Sequence, residues 1–131
     1  METGISINKH IYSILSQDDK LKEMVSNKIY PLIAEESTTF PFIIFKRTNI
    51  NTEYSKDGVV QDTVDINIGI AAINYNQTID ISERCRELLE LTRNGYFKRI
   101  TLTSVYEDYV DDTYTQELTF NCILNWYLYL K

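Results

Sequence analysis

The sequence is short of the residues that punctuate or staple a chain: of 131 residues, two are proline, two cysteine and four glycine. Cys85 and Cys122 cannot build a disulfide framework, and their separation fits no zinc motif. Each falls on the apolar side of its segment and is expected to be a buried, reduced thiol. Four scattered glycines supply neither a dinucleotide fingerprint nor a phosphate loop, and no nucleophile elbow is present. Long apolar runs are missing too, none approaching the ~20 residues of a membrane helix. The opening METGISINKH has no basic flank followed by an apolar core. The expectation is a soluble chain made in the cytoplasm, with no membrane partner. Positive charge is the minority, 13 Lys and Arg against 19 Asp and Glu for a net charge of −6. That balance argues against affinity gained by neutralising phosphates, which requires clustered cations. The one histidine, His10, has no serine or cysteine motif to serve and reads as a surface or partly packed side chain. No local motif supports catalysis or calls for a cofactor, so the expectation is a protein that is not an enzyme.

What the chain does have is patterned apolar sequence, enough for the single core of one domain over residues 1–131. From Ser6, a candidate N-cap, Ile7, Ile11, Ile14 and Leu15 recur at helical intervals. Asp18 can cap a short second helix carrying Leu21, Met24 and Val25, closed by Ser26 and Asn27. Both prolines fall in residues 29–45, IYPLIAEESTTFPFIIF, which reads as two extended segments joined by a polar hinge. The unalternated FIIF suits a strand buried on both faces. Asp57-Gly58 marks a turn within a long hairpin loop spanning residues 49–60. In the next strand Val60, Val64, Ile66, Ile68, Ile70 and Ala72 share a face, opposite Gln61, Thr63, Asp65 and Asn67. Asp80 with Glu83 fits a capping box for a helix whose inner face carries Ile81, Cys85, Leu88, Leu89 and Thr92. An Arg86–Glu90 pair lies outside, and Asn94-Gly95 serves as a left-handed stop. Two strands close the chain, the second putting Leu118, Phe120, Cys122, Leu124, Trp126 and Leu128 on the core side. The order is helix, short helix, three strands, helix, two strands. It predicts an α+β domain whose antiparallel sheet is packed on one face by two main helices.

Two features point to association. Strands over residues 59–73 and 113–129 would each span on the order of 50 Å at ~3.3 Å per residue, whereas a domain of this length is roughly 35 to 40 Å across. Projecting ends that carry tyrosine and valine need a covering partner. The candidate subunit contacts are Tyr54, Lys56 and Asp57 on one hairpin and Tyr106, Tyr109 and Tyr114 on the other. Residues 101–131 also carry Glu107, Asp108, Asp111, Asp112 and Glu117 against Lys131 alone. The first four form a candidate acidic surface at a hairpin tip. As a hard-cation site this segment lacks the glycine and terminal glutamate of an EF-hand loop, and a solvated tip is the favoured reading, with no metal bound. Asp62 and Asp65 lie on opposite faces of their strand and make a poor acid and base pair. A small-molecule or peptide binding domain of a bacterial cell, with a pocket between the second helix and the sheet, is the alternative reading. A metal-assisted hydrolase at the acidic tip is a third.

The succession of an N-terminal helix, QDDKLKEMV, KIYPLIAEESTTFPFIIFKRTN, a long hairpin, an alternating strand, ISERCRELLEL and two closing strands resembles the tail-completion or tail-terminator proteins of long-tailed phages and prophages. The likeness covers nearly the whole chain and is strongest in the IYP and FPFIIF pair. It implies a homo-oligomer, usually a hexameric ring, that caps the tail tube and joins it to the head connector in the virion. DNA would pass through the lumen without specific binding, and an acidic lining would keep phosphates from sticking. The family transfers no catalytic residues.

Overall fold

In the computed structural model, which describes residues 2–130, the N-terminal apolar spacing folds as two helices, α1 (Ile7–Ser16) and α2 (Asp19–Val25). Asp18 caps α2 as expected, its carboxylate accepting from Leu21 N at 2.8 Å, and left-handed Ser26 and Asn27 end it. Ser6 makes no side-chain cap. A 3-10 turn, Gly4–Ser6, continues the helix upstream, so the free N–H groups fall one turn earlier and Thr3 accepts from Ile5 N.

Five strands follow: β1 (Ile29–Pro31), β2 (Phe42–Ser55), β3 (Gly58–Ala72), and, after α3 (Tyr75–Leu89), β4 (Phe97–Val110) and β5 (Thr113–Leu124). They lie in the order β1-β2-β3-β5-β4. The class is α+β, with the helices on one face, but the sheet is mixed rather than antiparallel throughout. β1 runs parallel to β2, with Ile29 beside Ile43 and Pro31 beside Phe45. AEESTTF is therefore part of a crossover over residues 32–41, and β1 stops after three residues. Pro31 has no N–H with which to extend a ladder, and Leu32, at φ 67, turns the chain back. FIIF is buried on one face only: Ile43 and Phe45 meet the helices, while Phe42 and Ile44 are half-buried on the open face.

No long loop separates β2 from β3. Both strands run to a two-residue turn at Lys56-Asp57, with Gly58 at φ 124. The polar side chains of NINTEYS, which read as loop, are simply solvated there. Val64, Ile66, Ile68, Ile70 and Ala72 are buried as their alternation requires. Val60 is exposed, because a bulge between Glu53 and Tyr54 shifts the register at that end.

α3 starts before the expected capping box. Asn74 caps it, accepting from Gln77 N at 3.2 Å, and Asp80 is an exposed interior residue. The left-handed residue after the helix is Leu91, at φ 62. Asn94 instead accepts from Tyr96 N and Phe97 N, both at 2.8 Å, and turns the chain into β4. Ile81, Cys85 and Leu89 are buried, and Arg86 pairs with Glu90. β5 ends at Leu124, where a 3-10 turn, Trp126–Tyr129, takes over. Trp126 is 58% exposed and not a core residue; Tyr129 is buried in its stead. Asn125 N still donates to Tyr96 O in the register of the ladder, but Leu128 N then donates to Asn125 O at 3.2 Å, and this 3-10 turn breaks the alternation that would have carried Trp126 inward. Cys85 and Cys122 are both buried and unpaired with one another. Burial, assisted by the charges of Asp18 and Asp65 respectively, pushes each thiol up to about 12.

Candidate functional site

The sheet register separates the two hairpins that the sequence offered as contact segments. β3 pairs with β5 from Thr63 opposite Ile123 to Ala72 opposite Tyr114. Lys56 and Asp57 lie beyond the first end, and Asp111 and Asp112 beyond the second. Tyr54, Lys56 and Asp57 are thus at the opposite end of the sheet from Tyr106, Tyr109 and Tyr114.

Strand alternation then divides the acidic tip. Glu107 and Tyr109 pair with Gln116 and Tyr114 on the helix face, whereas Tyr106 and Asp108 pair with Glu117 and Thr115 on the open face. Glu107 accepts from Gln116 Nε2 at 2.9 Å and from Tyr75 OH at 2.8 Å, which together hold its carboxyl below the usual range. The same bond raises Tyr75 above an ordinary phenol. Tyr114 packs between Tyr75 and Tyr109, at centroid distances of 5.6 and 4.6 Å. Tyr109 OH donates to Asp112 Oδ1 at 3.1 Å, which raises its own pKa. Tyr75 was invisible to a reading confined to the hairpin, because it comes from the start of α3. Asp108 accepts from Tyr109 N, and Asp111 and Asp112 occupy the turn at φ 53 and 60. Among the described residues no three His, Cys, Asp or Glu side chains converge as a metal site.

The strongest unpaired features are the two sheet edges. β1 covers β2 only as far as Phe45, leaving residues 46–55 bare. On the other side, the segment after α3 covers the start of β4, with Leu91 N donating to Ile100 O at 2.7 Å, and residues 101–110 are bare. Val105, Tyr106, Tyr109 and Val110 are all more than half exposed on that edge strand. Behind α2 and α3 the space is filled by the buried side chains of Leu21, Val25, Ile81, Cys85 and Leu89. One open concavity of about 580 Å³ lies instead between α1 and β1, against Asn8, Tyr12, Tyr30 and Glu35. Another, of about 240 Å³, lies on the open face beside Leu32, Ile44, Lys46 and Glu117.

Sequence reasoning set Asp62 aside, yet it anchors both ends of the chain. It is buried in the inward phase of β3 and accepts from Gly4 N at 2.9 Å, Thr52 Oγ1 at 2.6 Å and Tyr129 OH at 2.6 Å. A Cβ on Gly4 would come within 2.8 Å of Val64 Cγ2 and 3.1 Å of Asp62 Oδ2, so only glycine fits this approach. Nearby, His10 stacks on Tyr96 at 3.7 Å and bonds Glu2. Arg84 holds Asp18 through both carboxylate oxygens, tying α3 to the start of α2 and lowering the Asp18 pKa. These contacts secure the helical layer and leave the edges and tips as the free surfaces.

Neither a family model nor a curated protein sequence matches the chain. Among solved structures, a chain from the virion of a native gene transfer agent particle superposes with a TM-score of 0.75, covering 87% of this chain and 90% of that one at 13% identity. The shared property is the fold. A second solved chain superposes with a TM-score of 0.62 at 10% identity, over 97% of this chain and 99% of the other. In both cases the superposition spans most of this chain and most of the other.

Proposed function

We propose that this protein is a structural component of a phage or phage-like particle, and specifically a tail-completion protein. It forms a ring at the head-proximal end of the tail tube, contacts the tube protein on one side and the head connector on the other, and lets DNA pass without binding it. The observation that carries the reading is the fold shared over nearly its full length with a chain of a gene transfer agent virion. The bare edges and the exposed tyrosines and valines of β4 support an assembling surface over a catalytic one. The acidic residues Asp108, Asp111 and Asp112 suit a wall that repels phosphate.

The test is genetic and direct. Particles made without the gene should carry tails of unregulated length or heads without tails, and purified protein added to growing tail tubes should stop their elongation. Normally finished tails in the deletion, with tubes that keep lengthening in the presence of the protein, overturn the assignment.

A further inference from the structure

We propose that copies of this chain associate edge to edge, with the bare β2 edge of one copy forming an antiparallel ladder with the bare β4 edge of the next. The inference deepens the ring assignment and rests on it for the closure of the assembly. Three observations carry it. First, the strand order β1-β2-β3-β5-β4 with antiparallel β2-β3, β3-β5 and β5-β4 pairs makes β2 and β4 antiparallel to one another. Copies repeated in one orientation around a ring therefore meet with the strand sense an antiparallel ladder needs. Second, the bare stretches, residues 46–55 and 101–110, are equal in length and lie on opposite sides of one sheet.

Third, the charges complement one another. Lys46 and Glu53 on β2, and Arg99 and Asp108 on β4, all point to the open face, being in register with Asn67, Gln61, Ile123 and Thr115. Each strand is positive toward its start and negative toward its end, so antiparallel alignment sets Lys46 against Asp108 and Glu53 toward Arg99. The separations differ by two strand positions, ~7 Å, which a lysine and an arginine side chain span. Within its bare stretch each strand also carries one extra residue, Thr48 on β2 and Thr103 on β4, a bulge of the kind that discourages indiscriminate strand addition. The partner is a second copy of this chain, because its own opposite edge supplies the matching length, direction and charge.

Cross-linking of mixed variants tests the pairing. With Lys46 opposite Asp108 and both bulges counted, Asn51 falls opposite Ser104; both are exposed. Asn51→Cys and Ser104→Cys proteins are prepared separately and treated, alone and as an equimolar mixture at millimolar concentration, with a short bismaleimide of about 8 Å reach, enough for a direct or diagonal cross-strand pair. The expected result is a covalent dimer in the mixture, at least tenfold above either variant alone, with none from the parent, whose cysteines are buried. Lys46→Glu on the Asn51→Cys partner should lower the yield several-fold, and Asp108→Lys on the other should restore it. Equal dimer from a single variant shows two-fold pairing and overturns the proposal, as does the absence of dimer in the mixture. Normal tail-length control without this cross-link overturns the pairing alone, and the cross-link with unregulated function overturns the tail assignment alone.

Discussion

Replacing Asp62 with asparagine should destabilise the fold by about 3 kcal/mol at neutral pH, an amount set by its three buried donors. The carboxylate is 5% exposed and receives Gly4 N at 2.9 Å, Thr52 Oγ1 at 2.6 Å and Tyr129 OH at 2.6 Å. A hydrogen bond to a charged acceptor contributes roughly 1.5–3 kcal/mol, but the three share one acceptor and their losses do not add. Asparagine keeps one acceptor oxygen and turns an amide donor toward groups that are themselves donors, so about 3 kcal/mol is a large part of the ~5–15 kcal/mol that holds a domain together. Burial pushes the Asp62 pKa up, yet the bonds from Thr52, Tyr129 and Gly4 together outweigh it and leave the pKa below its ordinary value. A carboxyl depressed in the folded state contributes its full stability above its unfolded pKa of about 3.9 and loses it as the pH falls through the folded value. Urea unfolding followed by far-ultraviolet circular dichroism checks both points, in the parent, Asp62→Asn, Tyr129→Phe and the double variant. The double variant should lose less than the sum of the single losses. A loss under about 1 kcal/mol at pH 7, or a parent-to-variant difference that does not shrink between pH 7 and pH 3, refutes the reasoning.

Two further outcomes follow from burial. Trp126→Ala should change stability by less than about 1 kcal/mol, because the indole is 58% exposed, whereas Phe120→Ala, at a fully buried position, should cost roughly 3–5 kcal/mol; thermal melts in which Trp126→Ala is the more damaging would put the end of β5 in the wrong phase. Cys85 and Cys122, with thiols pushed up to about 12 by burial, should resist an alkylating reagent at pH 8 and react on unfolding; prompt labelling of either cysteine in the folded protein contradicts the packing described.

Local rules made much of this protein legible from sequence. Asp18 capping α2, the inward run from Val64 to Ala72, the Ile81, Cys85 and Leu89 stripe and the Arg86–Glu90 pair each depend on residues within a turn or a strand of one another. The helix phases, the α+β class and the candidate contact segments followed from those patterns. What depended on distant partners did not. That β1 runs parallel to β2 is decided by where the chain returns after Leu32, and no periodicity encodes strand direction. Asp62 reads as a misplaced charge until Gly4, Thr52 and Tyr129, far apart along the chain, arrive as its donors. Trp126 has the same alternating phase as Leu124, and only the 3-10 turn that replaces the strand after Asn125, closed by Leu128 N on Asn125 O, leaves it exposed. The candidate site divides in the same way: sequence offered the tyrosines and carboxylates of the hairpins as candidates, while tertiary structure set the two tips at opposite ends of the sheet and left two sheet edges bare. A backbone hydrogen bond is satisfied or left open by whichever strand lies alongside, and that neighbour is chosen by the packing of the whole core.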